Sequence, residues 1–327
     1  MTSPVSSPLP TPAPTPSTPI ANDAAAPSPA QQPEDRKIDW LRSLPFFALH
    51  LGCLAVLWVG WSWPAVAVAV LLYAVRVFAL TAFYHRYFSH RAFKTSRWFQ
   101  AVGAILGLAA IQRGPLWWAA HHRKHHRHSD DPQDLHSPYH GGFWWSHIGW
   151  FLTKEHFKKN PQEIKDFTKY PELRFLDHYE MIVPTVMGIG LYLLGEGLAA
   201  WKPEWGCTGL QMFVWGFLIS TVAVYHVTYT INSLCHLLGR RRYQTRDESR
   251  NNLVLALLTF GEGWHNNHHR YPSSARQGFF WWEIDITYYT LVVLSWFGMV
   301  WDLRPVPQHV LNEHKQGEAQ ASPQAGT

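Results

Sequence analysis

Four long apolar runs decide what this chain can fold into. The first extends from Leu44 to Gly60 and the second from Ala65 to Tyr84, with only Trp61-Ser62-Trp63-Pro64 between them. The pattern returns from Ile182 to Trp201 and from Leu210 to Ile231, on either side of the short segment Lys202 to Thr208. A helix rises about 1.5 Å per residue and the hydrocarbon of a bilayer is about 30 Å thick, so runs of this length approach a full crossing. In hydrocarbon every backbone N–H and C=O must be paired within the segment, which selects helices. Connections this short force antiparallel pairs. The expected fold is all-α and integral to the membrane, with four transmembrane helices in two hairpins. A composition of 18 Trp, 18 Phe and 13 Tyr against 16% charged residues agrees.

Charge sets the orientation. Of 28 Lys and Arg, 26 precede the first run, lie between His85 and Ile182, or follow Ile231, all on one side of this topology. By the positive-inside rule that side is the cytosol, and both termini lie in it. Arg76 interrupts the second run; an intramembrane Arg is a functional candidate by default, but the reading preferred is that it snorkels to the interface. The helix then continues past the bilayer, with His85 more than ~10 Å outside the hydrocarbon. Trp98 to Ile111, interfacial or re-entrant, and Tyr288 to Trp301, interfacial, are apolar but too short to cross. Residues 1–36, rich in Pro, Ser, Thr and Ala, are expected to be disordered; residues 37–305 form the membrane domain and 306–327 a polar tail. No basic segment leads into an apolar run at the start, so the first span is expected to act as the signal. Cys53, Cys207 and Cys235 are odd in number and far apart, and imply neither a disulfide framework nor a Cys-based zinc site.

Histidine is the second constraint. The stretch His121 to Asp130 holds five of the chain's 20 histidines, and three clusters stand out: His85 with His90, His122 with His125 and His126, and His265 with His268 and His269. In a helix, positions i, i+3 and i+4 share a face, so each triplet is expected to present three imidazoles to one point. His236 opens the cytosolic segment after the fourth span and is a further candidate. Buried together without a partner, such rings are costly, and coordination of a metal by neutral imidazole removes the cost. The scattered residues His50, His156, His178, His226, His309 and His314 are read as structural. Nine candidate ligands exceed one tetrahedral zinc and suit two metals of four or five ligands each. Imidazole serves Zn, Cu, Fe and Ni alike, so the chemistry must choose. No nucleotide-binding glycine motif and no G-x-S-x-G elbow is present, and nothing calls for nucleic acid. Apolar spans beneath a two-metal centre point to oxidation of a lipid chain, since side chains alone do not activate O₂.

The segments HRYFSH at His85 to His90, HRKHH at His122 to His126, NSLCH at Asn232 to His236 and GEGWHNNHH at Gly261 to His269 resemble the membrane fatty acid desaturases. GFWWSHIGW at Gly142 to Trp150 adds to the likeness, which spans roughly residues 40–305 and is nearest the Δ9 acyl-CoA (stearoyl-CoA) type and its bacterial relatives. The resemblance implies a cytosolic helical cap on the four spans and two non-haem irons. Their ligands would be His85, His90, His122, His125, His126, His236, His265, His268 and His269, with Asn232 reaching one iron through water. It implies O₂ as co-substrate, two external electrons, and removal of two hydrogens from a saturated acyl chain to leave a cis double bond. Thr228 and Tyr229 would stand near the bend of a substrate tunnel, and Ala69 and Tyr73 at its end. Asp130, His136, His147 and Glu262 are read as groups that orient ligand imidazoles. His121 and His128 have no ligand position in the family pattern.

One departure bears on substrate. Animal acyl-CoA enzymes carry Trp-Ala-Arg-Asp before the second cluster, whereas Trp118-Ala119-Ala120-His121 stands here, without that arginine. Lys154, Lys158 and Lys159 offer positive charge, but a basic loop beside an anionic leaflet needs no substrate to explain it. The acyl carrier is thus open between CoA, a phospholipid and a carrier protein. The expected partners are that substrate, the bilayer, and a separate electron donor: cytochrome b5, ferredoxin or rubredoxin with its reductase. The expected location is a bacterial inner membrane. The alternatives are a di-iron lipid hydroxylase and, more remotely, a membrane metal-binding or transport protein, which would place its ionisable groups at mid-membrane.

Overall fold

The computed structural model describes residues 36–158 and 160–313. The disorder expected for 1–35, the polar tail beyond 313, His314 and Lys159 lie outside the described residues. Among the described residues four helices are long and apolar enough to cross a membrane: α1, Trp40–Val59; α2, Trp63–Ser89; α5, Ile182–Trp201; and α6, Gly209–Leu237. Between them lie α3, Arg97–Leu108, and α4, Pro115–His128. After α6 come α7, Leu253–Leu258, α8, His265–Arg270, and α9, Ile286–Trp296. The only paired strands among the described residues are β1, Lys94–Thr95, and β2, Val300–Trp301, which run antiparallel. The chain is thus all-α with four candidate spans in two hairpins.

Local chemistry marks the boundaries. Asp39 caps α1, accepting from the Arg42 N–H at 3.2 Å. Gly60, at φ 67°, ends the first helix, and Pro64 opens the next, where its fixed φ suits a first turn. Thr208 caps α6 by accepting from the Gln211 N–H at 3.2 Å, and Ser96 and Asp285 cap α3 and α9 in the same way.

The second and fourth spans are not uniform α-helices. Leu80–Ser89 in α2 and Val214–Ile219 in α6 wind as π-helix, a form found mostly as short insertions at functional sites. The α2 insertion is held by α3, whose glycines admit its rings. A Cβ on Gly103 would meet Phe83 at 2.0 Å, and one on Gly107 would meet Tyr84 at 2.1 Å.

Arg76 corrects the snorkelling expectation. Its side chain is fully buried, with no exposed surface, and turns into the bundle toward Thr221 of α6 at 2.6 Å and the Ala109 carbonyl at 3.4 Å. In a bundle that offers acceptors, a guanidinium is better satisfied inward than by stretching to the headgroups. The placement inferred for His85 from a snorkelling Arg76 therefore has no basis.

Candidate metal centre

The histidines reach their places through different local geometries. On an α-helix, two residues five apart point away from each other. In the π-helical end of α2 the backbone repeat is i to i+5, and the His90 N–H donates to the His85 carbonyl at 3.2 Å. His85 and His90 therefore face one another, ring centroids 4.9 Å apart.

The triplets of α4 and α8 do not each converge on one point, contrary to expectation. They are shared between two groups. His122 and His126 of α4 join His85, His90 and, from α8, His268; His265 and His269 of α8 join His236 and, from α4, His125. Residues i and i+4 keep one face, while the residue at i+3 is rotated off it and serves the opposite group. In each group the ring nitrogens lie within 4.8 Å of one another. The shortest Nε2 to Nε2 separations are 2.9 Å for His90 with His122 and for His126 with His268, and 3.0 Å for His85 with His268, His122 with His126 and His236 with His265.

Carboxylates fix which nitrogen faces inward. A carboxylate only accepts, so the imidazole N–H must lie on the nitrogen that meets it. Nδ1 of His236 donates to Asp130 at 2.7 Å, that of His125 to Asp134 at 3.0 Å and that of His269 to Asp247 at 2.6 Å, while Nδ1 of His85 meets Glu262. Each Nε2 then turns a bare lone pair inward, and Nε2 of His269 is buried without a partner. Lone pairs aimed at one another at 3 Å repel; a cation between them relieves this, so the donor set fits a pair of metal ions.

Electrostatics agree. Burial, reinforced by neighbouring imidazoles, pushes His90, His122, His126, His265 and His268 well below the ordinary imidazole value and holds them neutral. Burial alone would raise the carboxyls of Asp130, Asp134, Asp247 and Glu262, but contacts with His236, His125, His269 and His85 hold all four below their usual range.

Asp130 follows α4 in the left-handed region, at φ 59°, which Asp tolerates better than most residues. There its Oδ2 also accepts from the Glu248 N–H at 2.9 Å. Glu262 is held between His85 and Arg86, and Arg86 also meets Asp285 at 3.0 Å. Gly261 permits this approach, since a Cβ there would fall 2.4 Å from Asp285 Oδ1.

A cavity of about 840 Å³ borders the first group. Apolar side chains, among them Phe46, Leu49, Leu108, Ile111, Phe217 and Leu218, line much of it, and His122 and Asn232 stand on its wall. Thr228 and Tyr229 line it as well, with Thr228 accepting from Gln112 Nε2 at 3.1 Å.

The remaining expected residues fall elsewhere. Ala69 and Tyr73 are not among the residues lining this cavity. The Ala69 carbonyl accepts from Ser220 at 3.0 Å, and the Tyr73 hydroxyl donates to the Leu258 carbonyl at 2.7 Å. His147 does not orient a clustered ring, because its nitrogens meet Ser233 at 2.9 Å and His226 at 3.1 Å; His226 in turn meets His50 at 3.1 Å. His136 lies tilted against His125, ring centroids 4.3 Å apart, with its Nδ1 unpaired. His121 stacks on Trp117 at 4.1 Å, and His128 meets Asp131 at 3.2 Å.

Sequence reasoning missed Asp134, Asp247, Arg86 and Gln277, the last lying 3.2 Å from His85 Nδ1. Asp134, nine residues beyond His125, was within reach of a search for one carboxylate per ligand ring. Nothing local marks Asp247.

Residues 61–285 match the family model described as Fatty acid desaturase. The chain is 38% identical over 271 residues to the sn-1 stearoyl-lipid 9-desaturase of Anabaena variabilis, covering 82% of this chain and 94% of that one. It is 35% identical over 272 residues to the Delta-9 acyl-lipid desaturase 1 of Arabidopsis thaliana, 82% and 84% of the two chains. With the Acyl-CoA 5-desaturase AL21 of Anemone leveillei it shares 36% identity over 288 residues, 84% and 85% of the two. Four candidate membrane spans, two histidine groups at one end of α2 and α6, and identity along most of the chain agree: this protein belongs to the fatty acid desaturase family.

Proposed function

We propose that the protein is a di-iron, O₂-dependent desaturase that introduces a cis double bond at Δ9 of a saturated acyl chain carried on a membrane lipid, with residues 37–305 acting as one membrane domain. The observation that carries the reading is the apolar cavity with His122 of the first histidine group on its wall. Two irons would be held by His85, His90, His122, His126 and His268 and by His125, His236, His265 and His269, with Asn232 contributing through water to one of them. Bound there, the metals supply the oxidising equivalents from O₂ that an unactivated C–H bond requires.

The chain's own residues do the rest. Asp130, Asp134, Asp247 and Glu262 keep the proton on Nδ1 of four ligand rings, so each Nε2 remains a lone-pair donor. Arg86 and Asp285 hold Glu262 in place. The cavity wall at Trp118, Tyr225 and Tyr229 excludes water and orients the chain, so that one CH₂–CH₂ pair lies against the centre. The relatives' printed names favour an acyl-lipid over an acyl-CoA carrier, as does the absence of an arginine at Ala120. The distribution of Lys and Arg supports placing the histidine face on the cytosolic side of the membrane, which we take to be a bacterial inner membrane. A separate protein, cytochrome b5, ferredoxin or rubredoxin with its reductase, supplies the electrons.

Expression in a desaturase-deficient host tests this reading. Lipid extracts should contain a cis-9 monounsaturated chain on the glycerolipid fraction, located by mass spectrometry, and metal analysis should give two irons per chain. Hydroxylated product without alkene would replace the desaturase reading by a hydroxylase, and unsaturation confined to the acyl-CoA pool would overturn the carrier.

A further inference from the structure

Arg76 has no task in the chemistry above, yet its side chain is fully buried in the spanning bundle. A guanidinium has five N–H donors, and here all five are used. Nε donates to the Leu72 carbonyl at 3.1 Å, Nη1 to the Ala109 carbonyl at 3.4 Å and Thr221 Oγ1 at 2.6 Å, and Nη2 to the Gly216 carbonyl at 3.1 Å and to Ser220 Oγ. Every one of these acceptors is neutral. Three of them, Gly216, Ser220 and Thr221, lie in or directly after the π-helical turn Val214–Ile219 of α6. A π insertion disturbs the i to i+4 ladder, and a carbonyl left short of a donor in an apolar interior is costly. Arg76 gives the Gly216 carbonyl a donor within this turn. Ser220 passes the tie on to the Ala69 carbonyl, so the insertion is fastened to α2 at two points.

The same turn reaches the cavity. Phe217 and Leu218 line it and are its lining residues farthest from Asn232 along α6, about 20 Å away at ~1.5 Å per residue. Leu218 abuts α1, where a Cβ on Gly52 would meet its Cδ1 at 3.0 Å, and Leu49 lines the cavity one turn earlier. The deep end of the cavity is therefore walled by the π turn and α1.

We propose that Phe217 and Leu218, faced by Leu49, form the stop against which the methyl end of the acyl chain rests, so that they set the chain length accepted. Arg76 is the positioning residue that holds this stop. The inference rests on the desaturase reading and places the length determinant on α6 rather than at Ala69 and Tyr73. A full-length hydrophobic pocket discriminates one methylene by about 10- to 200-fold, which is enough for a few side chains to select a length.

The test is competition among myristate, palmitate, stearate and arachidate in a desaturase-deficient host, read as the ratio of long to short unsaturated products. Leu218→Ala is expected to raise this ratio at least about tenfold and Leu218→Trp to lower it comparably. Tyr73→Ala should leave it unchanged. Arg76→Lys keeps the charge but offers three donors to five acceptors, and should broaden the length profile. If that variant does not accumulate, Thr221→Val, which removes one acceptor, takes its place. In parallel, a pyrene-labelled fatty acid bound to the metal-free protein is displaced by saturated acids of increasing length, and the optimum should move in the Leu218 variants. A wild-type length profile in both Leu218 variants overturns the stop, as does a shift in Tyr73→Ala equal to that in Leu218→Ala. A wild-type profile in the Arg76 or Thr221 variant overturns the positioning role. Absence of any unsaturated product from the wild type would fail the desaturase reading instead, and the displacement optimum would still decide on the stop.

Discussion

A metal centre built from imidazoles depends on protons that its ligands do not control by themselves. Each of the four carboxylates reads out one ring's tautomer, and Asp247 does so for the group of four alone. Removing an orienting partner typically lowers metal affinity 10- to 100-fold. Asp247→Ala should therefore lower iron content toward one per chain, measured by mass spectrometry of the purified protein, with the group of five still loaded. Loss of both irons together would show that the groups do not load independently. Asp166 ties α4 to the end of α2, meeting Arg123 at 2.9 Å and Arg91 at 2.6 Å. Burial alone would raise its carboxyl, but the hydrogen bonds from Arg123 and Arg91 hold it below the usual range. A depressed carboxylate stabilises the fold above its unfolded value of about 3.9, and the contribution fades as pH falls through the lower folded value. Asp166→Asn should lower the melting temperature at pH 6, with the gap to wild type starting to narrow only below about pH 4 and closing once the pH falls below the lower folded value, as thermal scans across pH would reveal.

At the scale of elements, the two π insertions divide the work. That in α2 brings His85 and His90 to one face, and that in α6 shapes the deep end of the cavity. The first depends on the close approach of α3. Inserting a methylene-sized group into a packed site costs about 1–3 kcal/mol, and a Cβ on Gly107 would overlap Tyr84, the residue before His85. Gly107→Ala should lower the melting temperature and, by moving the π turn, reduce metal loading in the group of five. A variant that loses stability with its full metal complement would uncouple α3 from the histidines. Gly261→Ala acts on His85 from the other side, since a Cβ there would press on Asp285 and Arg86, and Arg86 pairs with the Glu262 that meets His85.

Across the whole molecule, one end of the four-helix bundle carries α4, α8 and the loops that close over the histidines, while the turns at Gly60 and Gly206 lie at the other. In a variant lacking the three native cysteines, Glu204→Cys should react with an impermeant thiol reagent on intact cells, and Lys154→Cys only after lysis. The opposite labelling would invert the topology.

The apolar runs were legible because hydropathy and helical rise are local properties, and in lipid the backbone has no alternative to the helix. The histidine spacing was legible for a similar reason: three and four residues make a helical face wherever the helix sits. What the spacing did not contain was the exchange of His125 and His268 between the groups, which requires α4 and α8 to face each other. Nor did it contain the π winding that aligns His85 with His90, which depends on α3 admitting Phe83 and Tyr84. Asp130 meets His236 across 106 positions of sequence, and Arg76 finds Thr221 across 145. Such pairings are set by which surfaces pack together, so a buried guanidinium and an interfacial one look alike in sequence. The sequence by itself determined four candidate spans and the kind of ligand, and its charge pattern set an expectation for their orientation. Tertiary packing decided which rings share a centre, which acid holds each ring, and where the cavity stops.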